Sequence, residues 1–407
     1  MSYPISSKVI VALLCLSHSF CGYSMLNEEE HENSEQYNNT VSKIEKISIH
    51  KPNKSNFSFS SFTAGSGRSD GGATKLVLSL DGGGTRGLIE AIILREIVRQ
   101  LPDFKPDLVV GTSVGALVGT AFALGKINEF VEDFGPIAEQ MFTRNWSWWN
   151  PLNWFRSTRG ISGPLYQSEP KQRAIEDFLG AGKSEGDFSY ETLGTRLMFP
   201  LYSARNGRVA YYRNYDESGA YGLVDALMST TAAPSYFNPH TFRGLDKNLY
   251  EGIDGGVFAN NPSKLAHDEM KVISQRERES SGNRTKIVML SMGTGRAEHG
   301  SEVGYYNNRG MLFWAQKMPN IFMDSASQHS HVIASHGGQD YYRVDPVLAP
   351  ALYQTDNTSK KHLDALTTVA MSVISDRSDS RYHSFIHTMK AKWRIEDEAE
   401  NEMEDDL

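Results

Sequence analysis

The sequence predicts an α/β fold in which a central, mostly parallel sheet is sandwiched between helices in three layers. Short apolar, β-prone runs alternate with segments whose apolar residues recur at helical spacing, which is the order expected for parallel strands covered by helices. Three of the short runs end in a glycine-containing turn. In open α/β sheets ligands bind at the carboxyl edge of the strands, so these turns are the first candidates for a functional site.

The predicted elements follow one another from Thr74 onward. They are a strand at 75–80, a helix at 88–101, a strand at 108–110, a helix at 114–124, a helix that opens at Asn261 and Pro262 and runs to about Ile273, and a strand at 286–291. Asn261 is suited to cap its helix, and Pro262 to occupy the first helical position. The last strand ends in the turn Met292-Gly293-Thr294-Gly295.

Composition limits the partners that the protein is expected to bind. The 407 residues carry a formal net charge of -8, with a sequence pI near 5.9. A nucleic-acid-binding protein is expected to have a basic face, so we expect no nucleic acid partner. The total charge does not exclude an enzyme that works at a membrane surface, because local patches decide that interaction.

The first residues are typical of an export signal. Lys8 is followed by a short apolar run at 9–20 and then by small residues, which predicts a signal peptide at 1–23. The protein is therefore expected to be exported or secreted, with association at a membrane surface left open. Cys15 and Cys21 both lie in or beside this segment. A disulfide framework, a cysteine-based zinc site and a cysteine nucleophile are consequently not expected.

The segment Gly111-Thr112-Ser113-Val114-Gly115 has the pattern G-x-S-x-G between a predicted strand and a predicted helix. A nucleophilic serine sits on a sharp strand-to-helix turn, where flanking glycines relieve crowding. Ser113 is therefore the candidate nucleophile, and Gly111 and Gly115 form its elbow. The positive end of the following helix favours the negative charge that develops during acyl transfer.

The segment Asp81-Gly82-Gly83-Gly84-Thr85-Arg86-Gly87 lies between the first strand and the first helix. Consecutive glycines allow backbone N–H groups to face one point, which suits an oxyanion hole. The same residues contain G-x-G-x-x-G, with Asp103 near the expected acidic position, so this segment alone is equally compatible with a dinucleotide site. The serine turn one strand later favours the oxyanion hole, because a dinucleotide site does not need it.

The segment Asp254-Gly255-Gly256 supplies a third candidate, predicted on a loop ahead of the helix that opens at Asn261. An ordinary aspartate, with a pKa near 3.9, is a weak base at neutral pH. It can accept a serine proton where an oxyanion hole stabilises the product state and water is scarce. Asp254 is therefore the candidate base, with Gly255 and Gly256 in its loop.

Taken together and in this order, the three segments resemble the patatin-like phospholipase family. Further matches are Thr231-Ala232-Ala233-Pro234-Ser235-Tyr236-Phe237 and Asn260-Asn261-Pro262. By matching position, the resemblance implies Ser113 as nucleophile and Asp254 as base. It implies an oxyanion loop of Gly82, Gly83 and Gly84 with Arg86 nearby. It also implies hydrolysis of ester bonds in phospholipids or other acyl lipids through an acyl-enzyme, without a metal or other cofactor.

The chain is accordingly divided into five parts. They are a signal peptide at 1–23, a flexible polar leader at 24–73, a patatin-like catalytic domain at 74–346, a helical C-terminal segment at 347–395 and an acidic tail at 396–407. The expected partners are an acyl-lipid substrate and a membrane surface. Whether a protein activator switches the enzyme on is left open.

Two features allow other interpretations of the site. A histidine after Asp254, at 329 or 331, would complete a Ser-Asp-His triad in the chain order of α/β-hydrolases, and His240 and His336 are further candidates. The aromatic stretch at 146–155 contains Trp146, Trp148, Trp149, Trp154 and Phe155. It is equally compatible with a lipid-facing wall and with a buried cluster over the sheet.

Two other functions remain compatible with these residues. The first is a nucleotide-dependent oxidoreductase that uses the first glycine loop. The second is a catalytically idle lipid-binding or storage protein with the same fold. Labelling of Ser113 by a serine-reactive probe distinguishes both from a hydrolase.

Overall fold

A computed structural model gives the fold of most of the chain. The described residues are 74–144, 163–180, 183–216, 221–281, 286–297, 307–308, 310–336, 340–377 and 381–392. All of them belong to the second of two units, Gly67–Leu407. The predicted signal peptide, leader, acidic tail and aromatic stretch at 146–155 lie outside the described residues.

The described strands form one large sheet and one small pair. The strands are β1 (Thr74–Leu80), β2 (Leu108–Gly111), β3 (Arg196–Ser203), β4 (Arg208–Arg213), β5 (His240–Arg243), β6 (Leu249–Asp254), β7 (Lys286–Met292), β8 (Arg296–Ala297), β9 (Asp340–Val344) and β10 (Val347–Leu348). The large sheet has the order β5-β6-β3-β2-β1-β7-β9, and β4 also pairs with β3. β8 and β10 form the small parallel pair.

The centre of the large sheet is parallel, as predicted. β1 lies between β2 and β7, and both neighbours run parallel to it. β3 and β9 extend this parallel set on either side. The other three strands, β4, β5 and β6, join the β3 side of the sheet in antiparallel pairings.

Helices cover the sheet and connect its strands. They are α1 (Gly87–Gln100), α2 (Val114–Ala123), α3 (Ile127–Glu132), α4 (Phe134–Met141), α5 (Ser168–Leu179), α6 (Tyr190–Leu193), α7 (Leu223–Thr230), α8 (Gly256–Ala259), α9 (Ser263–Ser281), α10 (Met311–Ser335), α11 (Lys360–Ser375) and α12 (381–392). None of the helices within the described ranges is both long and apolar enough to cross a membrane.

The central strands are buried because helices lie on both faces of the sheet. Residues 76–80 of β1 and all of β2 are buried. On one face Val77 and Val110 form a cluster with Ala266 and Met270 of α9. On the other face α2 packs so closely that a β-carbon on Gly119 would lie 2.9 Å from Val109 Cγ1. This arrangement confirms the predicted three-layer α/β fold.

The predicted strands and helices are present, with small differences at their ends. α9 begins at Ser263 rather than at Pro262, although Asn261 Oδ1 accepts a hydrogen bond from the Ser263 backbone amide at 3.0 Å, as expected for a capping side chain. The helix continues to Ser281 instead of ending near Ile273. The prediction for the base loop was wrong in one respect, because Asp254 is the last residue of β6 and does not lie on a loop.

Candidate active site

Ser113 occupies the sharp turn between β2 and α2. Its backbone has φ 54° and ψ −122°, a conformation that residues other than glycine rarely adopt. The turn is tight enough that a β-carbon on Gly115 would lie 2.5 Å from the carbonyl oxygen of Leu80. Only glycine fits at that position without moving the backbone of β1. Strained serine conformations of this kind are typical of nucleophile elbows.

Asp254 lies beside Ser113 in a buried position. The residue is 5% exposed, and its Oδ1 accepts a hydrogen bond from the Gly256 amide at 2.7 Å. The Ser113 hydroxyl lies close enough to this carboxylate to act on its pKa. Burial raises the pKa of Asp254 to about 6, although the Gly256 amide, the Ser113 hydroxyl and the positive charge of Lys171 act in the opposite direction. The carboxylate is therefore a stronger base than an exposed aspartate and is still largely ionised at neutral pH.

The pairing of β3 explains why these two side chains meet. Along one side β3 pairs with β4 over Met198 to Ser203. Its other side pairs first with β2, up to Met198, and then with β6, from Leu201 onward. β2 runs parallel to β3 and β6 runs antiparallel to it, so the two strands approach each other end to end. Ser113 follows the end of β2 and Asp254 is the end of β6, and they meet beside Pro200.

The first glycine loop is held in place through its carbonyl groups. Gly82 O accepts hydrogen bonds from Thr294 Oγ1 at 3.0 Å and from Asn260 Nδ2 at 3.3 Å. Gly83 O accepts a bond from the Arg86 amide at 3.2 Å. In a trans peptide the N–H group points away from the preceding carbonyl. The amides of Gly83 and Gly84 therefore point away from these anchors, and neither has a partner among the described residues.

This geometry changes the predicted oxyanion hole at one position. The Gly82 amide donates a hydrogen bond to Asn260 O at 2.9 Å. It is therefore not available to a substrate oxygen, and the prediction for Gly82 is corrected to an anchoring role. Gly83 and Gly84 keep free amides next to Ser113, which suits donors to a developing oxyanion.

Arg86 lies beside the loop, and its guanidinium bonds to backbone carbonyls. Its Nη1 donates to Gly295 O at 3.1 Å, its Nε lies 3.5 Å from Gly83 O, and the group stacks 4.9 Å from the centre of the Tyr353 ring. The predicted neighbourhood is thus observed. Arg86 joins the first glycine turn to the turn after β7, and it orients the Gly83–Gly84 peptide through the Gly83 carbonyl.

A buried ion pair holds the residue at which the first glycine loop begins. Asp81, the first residue after β1, receives both arms of the Arg343 guanidinium, at 2.8 and 2.6 Å. Glu90 Oε1 accepts a hydrogen bond from the Asp81 amide at 2.8 Å. Burial raises the pKa of Asp81 to about 6 against the effect of Arg343. These contacts therefore hold the start of the glycine loop in place.

Lys171 is a candidate site residue that the sequence prediction missed. It lies on α5, is 1% exposed, and donates from Nζ to Met228 O at 3.1 Å. Nζ also lies 4.1 Å from the centre of the Phe237 ring. Burial lowers the pKa of Lys171 to about 7, and the charge of Asp254 opposes that shift. Lys171 thus places a buried cation within Coulombic reach of the candidate base.

The candidate histidines contact other residues. His240 Nε2 lies 2.8 Å from Asp225 Oδ1, His331 Nδ1 lies 3.1 Å from the Tyr341 hydroxyl, and His336 Nδ1 lies 2.7 Å from Val332 O. His329 is exposed on α10. In the part of the chain that the structure describes, no histidine bonds to Ser113 or Asp254. Nor do the described residues contain a group of three or more metal-ligating side chains suited to an ion.

Comparison with known proteins shows which family the sequence matches. Residues 78–267 match the family described as Patatin-like phospholipase. The chain is 28% identical over 322 residues to a protein named cGAMP-activated phospholipase from Escherichia coli (strain TW11681), covering 72% of this chain and 86% of that protein. A protein of the same name from Vibrio cholerae serotype O1 is 32% identical over 211 residues, covering 48% of this chain and 57% of that protein. Patatin-like protein 1 from Oryza sativa subsp. indica is 27% identical over 353 residues, covering 74% of this chain and 81% of that protein.

Proposed function

From the premise that residues 78–267 belong to the patatin-like phospholipase family, we propose that this lipid ester hydrolase cleaves the carboxylic esters of phospholipids or other acyl lipids through Ser113 and Asp254. The observation that carries the proposal is that the Ser113 hydroxyl lies beside the buried Asp254 carboxylate and lowers its pKa. A serine next to a buried carboxylate, beside two amides without a partner among the described residues, has the parts that acyl transfer needs.

The reaction begins with acylation of Ser113. Its oxygen attacks the ester carbonyl while Asp254 accepts the hydroxyl proton. The amides of Gly83 and Gly84 donate to the oxyanion of the tetrahedral intermediate. The intermediate then collapses, Asp254 returns the proton to the leaving alcohol, and the fatty acyl group stays on Ser113. Water later releases the fatty acid and restores the free serine.

The decisive experiment compares the purified full-length protein with Ser113→Ala and Asp254→Asn. We expect the wild-type protein to release fatty acid from phospholipid vesicles and to react with a fluorophosphonate probe, and we expect both variants to lose hydrolysis. Replacing His240, His329, His331 or His336 with Ala should leave hydrolysis within about twofold of wild type, whereas a triad enzyme would lose about 10³-fold or more with one of them. A folded wild-type protein that neither reacts nor hydrolyses would favour a lipid-binding or storage role.

Activation is a second part of the proposal. Two relatives carry the name cGAMP-activated phospholipase, and a lipase that is constantly active can damage the membrane of its own cell. We therefore propose that this enzyme also needs an activator, and cGAMP is the first candidate. Fatty acid release measured with and without cGAMP tests this, and equal rates would remove that nucleotide from consideration.

Export is the third part of the proposal, and it depends on the sequence of residues 1–23. Lys8 and the apolar run that follows it have the pattern of a cleaved signal. A reporter enzyme fused behind residues 1–23 should leave the cytoplasm and lose the leader. Retention of an intact fusion would contradict export, without bearing on the chemistry at Ser113.

A further inference from the structure

Asn260 joins the two loops that carry the proposed chemistry. It directly follows α8, and its carbonyl oxygen accepts the Gly82 amide at 2.9 Å. The residue is 8% exposed. Its side chain therefore lies in the interior, between the glycine loop and the residues that follow Asp254.

The orientation of the Asn260 side chain is fixed by its neighbours. Its Nδ2 donates to Gly82 O at 3.3 Å and to Ser327 Oγ at 3.2 Å. A backbone carbonyl can only accept, so the side-chain atom that meets Gly82 O must be the amide nitrogen, and the other terminal atom is Oδ1. Oδ1 is buried and has no hydrogen-bond partner among the described residues. Buried acceptors are nearly always satisfied, so this atom is suited to accept from a bound molecule.

The free Asn260 oxygen faces the same small space as the Asp254 carboxylate. A β-carbon built on Gly256 would lie 3.2 Å from Asn260 Oδ1 and 3.1 Å from Asp254 Oδ1. A β-carbon built on Gly82 would collide with Asn260 Oδ1 and lie 3.4 Å from Ser113 Cβ. The acceptor is therefore next to both proposed reacting residues.

Resting on the proposed function, we propose that Asn260 Oδ1 positions the water that hydrolyses the acyl-enzyme. One hydrogen of the water donates to Asn260 Oδ1, and the other faces Asp254. As the water oxygen bonds to the acyl carbon, Asp254 takes the second proton. The bond between the acyl carbon and the Ser113 oxygen then breaks, the proton passes from Asp254 to that oxygen, and the free fatty acid leaves.

The number of O–H hydrogens on each nucleophile assigns the Asn260 acceptor to deacylation. In acylation the Ser113 hydroxyl has one hydrogen, which goes to Asp254, so nothing remains on the nucleophile for Asn260 to accept. Water has two hydrogens and can bond to both acceptors at once. Asn260 is thus a positioning residue for deacylation, and its loss should slow deacylation more than acylation, which loses only the Nδ2 anchor of Gly82 O.

The test separates the two steps with a p-nitrophenyl fatty acyl ester. In rapid mixing, nitrophenolate release reports acylation, and the later linear phase reports deacylation once that step is slower. We expect Asn260→Ala to slow turnover at least about tenfold more than it slows acylation. Acyl-Ser113 should then accumulate and be visible as added mass on the intact protein.

A competing nucleophile gives a readout that a merely structural role would not change. Methanol has a single O–H hydrogen and does not need the second acceptor. The ratio of methyl ester to free fatty acid should therefore rise in Asn260→Ala. Ser327→Ala, which removes one partner of Nδ2, should raise the same ratio by less. Labelling of Ser113 by a fluorophosphonate, which needs no deacylation, checks that each variant is folded.

Several results would overturn the proposal. Acylation and turnover that fall together in Asn260→Ala would mean that the residue supports the whole site. An unchanged ratio of methyl ester to fatty acid in both variants would mean that Oδ1 does not hold the water. A wild-type protein without labelling or turnover would instead refute the proposed function, so the two failures are distinguishable.

Discussion

Replacing Lys171 with methionine tests whether a buried cation tunes the proposed base. The ammonium of Lys171 and the carboxylate of Asp254 act on each other's pKa, and no other charged group among the described residues contributes to the pKa shift of either one. Methionine keeps most of the side-chain length and volume while removing the charge. Without that charge the ionised form of Asp254 loses a stabilising interaction, so the pKa of Asp254 must rise.

The expected pH dependence of kcat/KM follows from the pKa of Asp254, which is about 6 in the folded protein. If the base must be ionised, kcat/KM of the wild-type enzyme should be about half its plateau value near pH 6 and about tenfold below it near pH 5. Lys171→Met should retain less than half of its own plateau at pH 6. Above pH 8 Asp254 is ionised in both proteins, so each should reach its plateau there.

The assay is kcat/KM for a soluble acyl ester from pH 4.5 to 9, with Lys126→Met as the matched control. Lys126 also donates to carbonyls at a helix end, at 2.9 Å to Phe178 O, and lies 5.6 Å from the centre of the Phe178 ring. It does not contribute to the pKa of Asp254, so its loss should leave the midpoint unchanged. A folded Lys171→Met enzyme with the wild-type midpoint would refute the reasoning.

The remaining predictions concern the two supports of the site. Gly115→Ala should lower the free energy of unfolding by at least about 1–3 kcal/mol, because its β-carbon would collide with the backbone of β1 at Leu80; thermal unfolding measures this. Gly163→Ala, whose β-carbon would meet nothing within 4 Å, is the control, and equal losses would refute the packing argument. Arg343→Met should cost about 3–5 kcal/mol by leaving Asp81 buried without its partner, and adding Asp81→Asn should recover part of that loss. A double variant no more stable than the single one would contradict this account.

The parts of the fold predicted from sequence are those with a local pattern. β1 and β2 are short apolar runs, and α1 and α2 carry apolar residues at helical spacing, so each element contains its own signal. β6 pairs with β3, which lies about 50 residues earlier in the sequence, and it has an exposed end at Leu249. No local sequence pattern therefore marks it as a strand. That is why Asp254 was expected on a loop rather than at the end of a strand.

The candidate site was predicted as a set of motifs, but its electrostatics were not. Lys171 stands three and four residues before Ala174 and Ile175, on the buried side of α5, and a lysine at such a position is unusual enough to be noticed. Its relation to Asp254 depends on how α5 packs beside α7, which no short segment encodes. The same holds for the amide of Gly82, whose partner Asn260 lies far away in the sequence.

The end-to-end approach of β2 and β6 also favours a dyad over a triad. In a Ser-His-Asp triad the imidazole stands between the serine and the carboxylate and bonds to both. Here the Ser113 hydroxyl acts directly on the pKa of the carboxylate, and no histidine among the described residues bonds to either group. In the proposed dyad the base must work at its own pKa, and burial raises that of Asp254 to about 6. A carboxylate in this range can take a proton from serine and give it back to the leaving alcohol, which are the two transfers that a histidine would otherwise perform.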